Sequence, residues 1–308
     1  MVSAMHVNNT VITGGGGFLG QRLARMIDGP VTVIDQGFPP DVAGLPVSAD
    51  LGSSAPFALP PDTTVIFHLA AVVSSGAEAD FDLGMAVNID GTRRVLEACR
   101  ALANPPIVVF ASSVAAYGGP LPAVVDDDTR PTPMSSYGAQ KVIVEYLVAD
   151  YTRKGFIRGI SLRLPTVVVR PGKPNLAASS FASGIIREPL VGVRAACPVA
   201  AETELWITSP DRVIASLVEA ASLPSDVWPA GRVVNLPGLT VSVTEMLASL
   251  ETVGGATARA LVDFVPDERI ASIVAGWPAR FSTAVADRLG FVADASFEDV
   301  VRQYTATN

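Results

Sequence analysis

The stretch "NTVITGGGGFLGQRLARMID", Asn9–Asp28, decides the fold because it contains the patterns of a strand, a glycine turn and a helix in direct succession. The apolar run Val11–Thr13 predicts the end of a buried strand. After the glycines, Leu19, Leu23 and Ile27 recur at the spacing of one helix face. A strand that passes into a helix through glycines is typical of the first unit of a doubly wound parallel sheet.

Four more apolar runs repeat this pattern along the chain and predict further strands. They are "VTVIDQG" from residue 31, "TVIFHLAAVV" from residue 64, "NPPIVVFASS" from residue 104 and "GISLRLPTVVV" from residue 159. Helical patterns lie between them, notably over 85–103 and 137–153. Continuous apolar runs that alternate with helices predict a Rossmann-type α/β fold, whose parallel strands are buried on both faces.

After about residue 166 the alternation loosens, and Pro, Gly and Ser become frequent up to residue 198. Two further strand-and-helix patterns follow, over 203–222 and 231–254. We therefore predict a smaller, interleaved α/β substrate domain beside a nucleotide-binding domain. The expected nucleotide-binding domain comprises residues 1–165 and about 204–236, and the substrate-binding domain comprises about 166–203 and 237–308.

Composition excludes several classes of protein. The net charge of -8 over 308 residues repels the phosphates of nucleic acid and anionic lipid headgroups. Two cysteines make neither a disulfide framework nor a zinc spacing, so we expect reduced core thiols and no metal site. No apolar run reaches the roughly 18 residues of a membrane span, and no basic segment precedes an apolar one at the N-terminus. These features predict a soluble cytoplasmic protein.

The glycine turn predicts a dinucleotide site. Gly14, Gly17 and Gly20 have the spacing GxxGxxG, which permits a tight turn and close approach of a pyrophosphate to a helix N-terminus. Glycine turns also occur in loops that bind nothing, but the position directly after the first strand favours binding. Asp35 ends the second strand, where an acidic residue binds the adenosine ribose hydroxyls and repels a 2′-phosphate. This pattern favours NAD over NADP.

A second motif supplies candidate chemistry. Tyr137 and Lys141 lie four residues apart on a predicted helix, so they share one face. An ammonium beside a phenol favours the phenolate, which can remove a proton from a substrate hydroxyl. Ser112 and Ser113 end a predicted parallel strand, where side chains face the ligand crevice. The alternative is an ordinary amphipathic helix, because Tyr-x-x-x-Lys is common by chance.

The two histidines argue against other catalytic machinery. His68 lies within an apolar strand pattern, which is typical of a core residue with satisfied hydrogen bonds, and His6 lies near the N-terminus. A Ser-His-Asp hydrolase or a His-rich metal site would depend on one of these two. The acidic run Asp126–Asp128 is interpreted as a solvated loop.

These motifs, in this order, resemble the extended short-chain dehydrogenase/reductases, the group that includes nucleotide-sugar epimerases and dehydratases. The matching segments span nearly the whole chain. They are "TGGGGFLG", "IDQG", "ADL", "FHLAA", "VNIDGTRRVLEA", "ASSVAAYG", "SSYGAQK", "LRLPTVV", "VVNLPG" and "LGFVADASFEDVV".

The resemblance implies a role for each matching position. Ser113 would hold the substrate hydroxyl, Tyr137 would be the base, and Lys141 would bind the nicotinamide ribose and lower the pKa of the tyrosine. The implied cofactor-binding residues are Gly14, Gly17, Phe18, Leu19, Gly20, Asp35, Asp50, Leu51, Leu69, Ala70, Ala71, Asn88, Ala111, Tyr137, Lys141, Leu164 and Thr166.

The stretch "RLPTVVVRPGKPN", Arg163–Asn175, departs from the nucleotide-sugar enzymes of the group. Those enzymes usually carry an LRxxNVYGP-like pattern, and here Thr166 replaces its Asn. Cationic and hydroxyl side chains in and after this stretch suit a small polyhydroxy carboxylate, although each could equally be a surface residue or part of an ion pair. The candidate substrate-binding residues are Ser74, Ser75, Ser113, Tyr137, Thr166, Arg170, Lys173, Asn175, Ser179 and Arg187.

The region 117–190 resembles one branch of the group, the NAD-dependent dehydrogenases of small sugar acids. That resemblance implies oxidation of the C2 hydroxyl of a four-carbon aldonate, D-erythronate, to a 2-oxo-tetronate. It also implies a homodimer through helices 85–103 and 137–153. Two alternatives stay open, a nucleotide-sugar epimerase or dehydratase with the same cofactor residues and an NAD-binding regulator without activity.

Overall fold

A computed structural model describes residues 5–6, 9–170, 172 and 179–307. The strands of these residues are β1 (Met5–His6), β2 (Thr10–Thr13), β3 (Ile27–Asp28), β4 (Val31–Asp35), β5 (Leu45–Ser48), β6 (Val65–His68), β7 (Ile107–Ser113), β8 (Arg158–Leu164), β9 (Thr166–Val167), β10 (Ala195–Cys197), β11 (Glu204–Thr208), β12 (Val233–Asn235), β13 (Leu239–Ser242) and β14 (Val262–Phe264).

The helices are α1 (Phe18–Met26), α2 (Ser74–Ala79), α3 (Phe81–Gly84), α4 (Thr92–Arg100), α5 (Ser136–Arg153), α6 (Ser180–Leu190), α7 (Pro210–Ser222), α8 (Val243–Arg259), α9 (Glu268–Ala275), α10 (Ala284–Arg288) and α11 (Phe297–Thr307). A π-helix over Met85–Gly91 precedes α4, and a 3₁₀ helix over Val114–Ala116 follows β7. The predicted helix over 85–103 is therefore a π-helix followed by an α-helix.

The described chain packs as two compact units. Their ranges are 1–116, 133–163 and 214–234 for the first unit, and 117–132, 164–213 and 235–308 for the second. The compact units differ from the predicted division at 117–132 and 204–213, which lie in the second unit, and the assignment of each unit to nucleotide or substrate stays a prediction.

The first unit is built on a seven-stranded sheet with the order β12-β8-β7-β6-β2-β4-β5. The pairings from β5 across to β7 are parallel. Counted along the chain, the order from β5 is third, second, first, fourth, fifth, so the direction of winding reverses between β2 and β6. In open sheets of this kind the ligand crevice lies at that switch point. The predicted Rossmann-type fold is confirmed.

Burial explains which strands could be recognised in the sequence. All four residues of β2 and all four of β6 are buried, as continuous apolar runs predict. The edge strand β5 was not predicted, because all of its residues are exposed and it contains Pro46. An edge strand tolerates proline and needs no apolar run. Ile27 was predicted to be helical, but α1 ends at Met26 and Ile27 begins β3.

The core of the first unit lies between the sheet and its helices. Strand residues Val11, Ile66 and Phe110 pack in one cluster with helix residues Val95 and Val144. Cys99 belongs to this cluster, and both cysteines are buried free thiols, as expected. This core fixes α5 against the sheet by its apolar side, and the orientation of the remaining faces of α5 follows from that packing.

The second unit has its own sheets and core. One sheet has the order β13-β11-β9, and β10 pairs with β14 in parallel. Its core includes Ile185, Ile207, Leu250 and Val300. The buried carboxylate of Asp294 accepts hydrogen bonds from the Thr208 and Ser209 hydroxyls and from the Ser209 N–H. Among the described residues, no helix is long and apolar enough to span a bilayer.

Candidate active site

The glycine turn lies at the switch point of the sheet. Gly14 follows β2, and its backbone N–H donates to the Ile34 carbonyl at 2.9 Å. Gly14 has a φ of +72°, which favours glycine. A Cβ on Gly14 would also lie 2.6 Å from the Ala70 nitrogen, so the turn packs directly on the segment that follows β6. The turn, β4 and β6 therefore meet where a dinucleotide would bind.

The N-terminus of α1 can accept a pyrophosphate. Gly17 is the N-cap of α1, and no side chain caps the helix there. The first N–H groups of a helix lack intrahelical acceptors, and the helix dipole favours an anion at this end. Phe18 and Leu19 begin the helix, and Gly20 lies buried in its first turn. The residues predicted to bind the cofactor phosphates are thus brought together at one end of α1.

Asp35 lies at the end of β4, next to the glycine turn. Its carboxylate accepts the backbone N–H of Gly16 at 3.0 Å and that of Gln36 at 2.7 Å. The side chain is half-buried. A carboxylate oxygen has lone pairs left after one such bond, so the geometry suits acceptance of ribose hydroxyls and opposes a 2′-phosphate.

The adenine side of the predicted site follows β5. Asp50 is exposed and accepts hydrogen bonds from the Gln36 side chain at 2.8 Å and from the Gly52 N–H at 2.7 Å. Leu51 is 6% exposed and packs under the π-helix, where a Cβ on Gly91 would lie 2.8 Å from the Leu51 carbonyl oxygen. The structure thus places Asp50 and Leu51 in one turn between β5 and the π-helix.

The Asn88 side chain holds the loop that follows β6 by hydrogen bonds. Its amide accepts from the Val72 N–H at 2.8 Å and donates to the Val72 carbonyl at 3.0 Å. It also donates to the Gln140 side chain at 2.7 Å. Leu69, Ala70 and Ala71 lie half-buried in the loop that Asn88 fixes. Asn88 therefore links the predicted cofactor loop to α5.

Tyr137 and Lys141 lie together on the first turns of α5. The Lys141 ammonium is 5.3 Å from the centre of the Tyr137 ring and 4.6 Å from that of Phe110. It donates to the Ala111 carbonyl at 2.7 Å, which ties α5 to the end of β7. An ammonium has three donors. One bond to Ala111 leaves donors for a ribose hydroxyl, as the predicted role of Lys141 requires.

Burial controls the charge of this site. It lowers the pKa of Lys141 to about 7, and the Glu145 carboxylate acts in the opposite direction. Burial and the Lys141 charge lower the pKa of His68 to about 3, so its ring is neutral. The His68 ring nitrogens lie 2.6 Å from the Thr13 hydroxyl and 2.8 Å from that of Thr92. His68 is a core residue with both nitrogens bonded, as predicted.

Ser113 lies at the end of β7, next to a close contact between the 3₁₀ helix and α5. Its hydroxyl accepts the Ala115 N–H at 3.1 Å, which leaves its O–H able to donate. A Cβ on Gly138 would overlap the Ala115 carbonyl oxygen, so only glycine allows the 3₁₀ helix and α5 to approach this closely. Ser135 caps α5 by accepting the Gly138 N–H at 3.1 Å. Ser113 and Tyr137 thus flank one tight junction.

A buried ion pair next to Lys141 on α5 was not predicted from the sequence. Arg163 binds both carboxylate oxygens of Glu145, at 2.9 and 2.6 Å. Ser112 donates to the same carboxylate at 2.5 Å. Two signals were present in the sequence, a charged residue inside the apolar run of β8 and a glutamate four residues after Lys141. Buried charges require partners, so either residue could have indicated the pair.

The remaining predicted residues are distributed along both units. Ser74 and Ser75 begin α2 and are half-buried. Leu164 ends β8, and Thr166 begins β9 opposite Ile207. Ser179 is half-buried and directly precedes α6.

Arg187 is 8% exposed and donates to the Arg170 carbonyl at 2.6 Å and to Glu188 at 2.5 Å. Arg170 in turn donates its N–H to the Ser183 hydroxyl at 3.2 Å. Lys173 and Asn175 lie outside the described residues. The described residues contain no group of three or more His, Cys, Asp or Glu side chains that could hold a metal ion.

A glycine turn at the switch point, with an acidic residue ending the next strand, defines a dinucleotide-binding protein of the Rossmann type. Residues 10–200 match the model of the NAD dependent epimerase/dehydratase family. The chain belongs to that family, which confirms the resemblance seen in the sequence, and NAD is the cofactor that the glycine turn and Asp35 fit.

Relatives cover nearly the whole chain. A D-erythronate dehydrogenase from Cupriavidus necator is 51% identical over 96% of this chain and 97% of its own length. A D-erythronate dehydrogenase from Haemophilus influenzae is 44% identical over 96% of this chain and 98% of its own length. A crystal structure of a nucleoside-diphosphate-sugar epimerase from Agrobacterium tumefaciens has a TM-score of 0.88, with 38% identity over 98% of this chain and 95% of that one.

Proposed function

We propose that this chain is an NAD-dependent dehydrogenase that oxidises the C2 hydroxyl of D-erythronate to 2-oxo-tetronate. The observation that carries the proposal is the identity of 51% and 44%, over almost the full length, with two relatives named D-erythronate dehydrogenase. The chain retains a tyrosine–lysine pair and a strand-end serine in one unit, so it has the groups that such a reaction needs.

Oxidation of an alcohol removes a proton from oxygen and a hydride from carbon. Bound NAD supplies the acceptor for the hydride. Tyr137 would take the hydroxyl proton, and the nearby Lys141 ammonium favours the phenolate form that can do so. Ser113 would donate its O–H to the substrate oxygen and hold it beside the phenol. Ala111 fixes Lys141 by accepting its N–H, so the pair is positioned before substrate arrives.

The cofactor would be held by the groups at the switch point. The N-terminus of α1 would bind the pyrophosphate, and Asp35 the adenosine ribose hydroxyls. Capture of the substrate carboxylate by the region 163–187 stays a prediction. Within that region Arg163 and Arg187 bind glutamates, and the other described candidates are Arg170, Ser179 and Thr166.

A substrate panel tests the proposal. D-erythronate and other four- to six-carbon aldonates are incubated with NAD while NADH absorbance is followed, beside UDP-glucose and UDP-galactose. We expect NADH from D-erythronate and none from either UDP-sugar. Conversion of a UDP-sugar without net NADH would instead support the epimerase alternative. The 38% identity with the Agrobacterium protein is the observation that favours this alternative.

Replacing the phenol tests the base. Tyr137→Phe removes one oxygen atom and should lower turnover by roughly 10²–10⁴-fold, which is the usual contribution of general-base catalysis. NAD affinity, measured by calorimetry, should stay within about threefold of the parent, since the mutation removes no predicted phosphate or adenosine ligand. Substantial turnover in this variant would contradict the assignment of Tyr137 as the base.

A homodimer through 85–103 and α5 is also proposed. On α5, Tyr146 is 71% exposed and Ile143 is 43% exposed, while Val144 and Val148 face the core. An exposed aromatic and an exposed aliphatic side chain on one helix are consistent with a covered face in a dimer. Light scattering after size exclusion gives the oligomeric state, and Tyr146→Glu should shift it towards the monomer.

A further inference from the structure

Three buried charged residues form a cluster in the first unit. Lys141, Glu145 and Arg163 are 3%, 3% and 6% exposed. Arg163 grips the Glu145 carboxylate with two hydrogen bonds. Glu145 lies one helical turn after Lys141 on α5, so this carboxylate faces two cations. The Lys141 ammonium itself donates to the Ala111 carbonyl at 2.7 Å.

Two consecutive residues of β7 attach to two consecutive turns of α5. Ala111 accepts from the Lys141 ammonium at 2.7 Å, and Ser112 donates to the Glu145 carboxylate at 2.5 Å. Ser113, the predicted catalytic serine, comes directly after these two anchors. Glu145 therefore helps to fix the register between the strand end and the helix that carries Tyr137.

We propose that Glu145 is a positioning residue of the tyrosine–lysine pair, which holds Lys141 in its charged form inside a site that excludes water. The proposal rests on the proposed function only in assigning Lys141 a catalytic task. Its physical basis is independent of the substrate, since an ammonium removed from water keeps its proton only where a negative charge offsets the lost hydration.

The groups around the ammonium support this role for Glu145. From its own helix Lys141 faces Tyr137 and Glu145, and from β7 the uncharged Phe110 ring. From β6 it faces His68, which is neutral because its pKa is lowered to about 3. Burial lowers the pKa of Lys141, and the Glu145 charge raises it. From β8, Arg163 binds the same carboxylate and carries a charge of the opposite sign, so Glu145 is the group of this cluster that opposes loss of the proton.

The test measures the titration of Lys141 directly, in the full chain without substrate. The sequence contains three lysines, so protein labelled with ¹³C at lysine Cε gives three signals. The signal missing from Lys141→Met identifies Lys141. In Glu145→Gln we expect the pKa of Lys141 to fall by about 1 to 2 units, as expected for removal of a charge one helical turn away. Asp150→Asn, an exposed carboxylate change on the same helix, should leave the pKa unchanged.

The direction in which the Lys141 pKa moves distinguishes an electrostatic role of Glu145 from a merely structural one. A loosened fold would admit water to Lys141 and raise its pKa, whereas loss of the carboxylate lowers it. An unchanged or raised pKa in Glu145→Gln would overturn the proposal. If Glu145→Gln does not fold because Arg163 is left unpaired, the double variant Glu145→Gln/Arg163→Met is compared with Arg163→Met, so that the two proteins differ only in the carboxylate. A Lys141 pKa that is not lower in the double variant would then overturn the proposal.

A kinetic readout links the charge to the reaction. In Glu145→Gln the pH above which kcat/KM declines should move down by about the same amount as the Lys141 pKa, with KM for NAD little changed. The titration needs no turnover. A chain that proves inactive on sugar acids would therefore refute the proposed function and leave the result on Glu145 standing.

Discussion

Replacing Lys141 by methionine should stabilise the protein below pH 7, and this gain should shrink as the pH rises. Burial lowers the pKa of Lys141 from 10.5 to about 7, so the folded protein binds this proton less tightly than the unfolded chain does. One pKa unit is worth about 1.4 kcal/mol. Keeping the charged lysine folded therefore costs about 5 kcal/mol below pH 7, and the cost vanishes near the pKa of the unfolded chain.

The sign follows from proton linkage. Between pH 7 and pH 10.5 the unfolded chain binds more protons at this position than the folded protein, so the stability of the parent rises with pH. The methionine variant lacks this term. The difference in unfolding free energy, variant minus parent, should fall by about 3 kcal/mol from pH 6 to pH 9. Loss of the hydrogen bond to Ala111 lowers the stability of the variant by an amount that does not depend on pH.

Urea unfolding at pH 6, 7.5 and 9, followed by circular dichroism and fluorescence, measures this difference. His68 is neutral in both folded proteins over this range and is the same in both unfolded chains, so its titration cancels in the difference. Lys154 is exposed at the end of α5, and Lys154→Met serves as the matched control with no expected pH dependence. A difference that stayed flat from pH 6 to pH 9 would refute the burial argument for Lys141.

Three further changes test other parts of the structure. Asp35→Asn should shift the ratio of kcat/KM for NAD over NADP towards NADP by at least about tenfold, because a like-charge contact of roughly 1.4 kcal/mol or more is removed; an unchanged ratio would contradict the ribose role. Gly138→Ala should lower kcat about 100-fold, because its Cβ overlaps the Ala115 carbonyl oxygen and displaces the tyrosine. Gly231→Ala, with nothing within 4 Å of its Cβ, is the control, and equal rates in both variants would refute the tight junction. Asp294→Ala should lower the unfolding free energy by about 2–3 kcal/mol, since the buried hydroxyls and N–H that donate to this carboxylate lose their acceptor. A change below about 0.5 kcal/mol in urea unfolding would contradict this.

The parts of the fold that local pattern dictates could be predicted from the sequence. Apolar runs such as 64–73 predicted buried strands, and the glycine turn predicted where the sheet would bind a nucleotide. Strand β5 escaped prediction because an exposed edge strand has no apolar signature. The π-helix over Met85–Gly91 was not distinguished from the α-helix that follows it, because a single π-helical turn within a helical segment has no simple periodic signal.

Pairings between distant residues could not be predicted in the same way. The sequence predicted that the region 163–187 captures the substrate carboxylate. In the structure Arg163 binds Glu145, 18 residues away, and Arg187 binds Glu188 and the Arg170 carbonyl. Which carboxylate an arginine meets depends on how elements pack, and spacing along the chain does not encode that packing. The positions of Lys141 and His68 could be predicted, because the helix that Lys141 shares with Tyr137 and the apolar strand around His68 are both local patterns in the sequence.

The packing around the glycine turn limits how cofactor preference could be redesigned. Gly14 is held against Ala70 and the Ile34 carbonyl, so neither insertion nor enlargement fits there. Two residues beyond Asp35, by contrast, a Cβ on Gly37 would meet nothing within 4 Å. A larger adenosine phosphate would therefore find more room near Gly37 than near Gly14. Selection in a library should therefore enrich changes at 35–37 and reject almost every change at position 14.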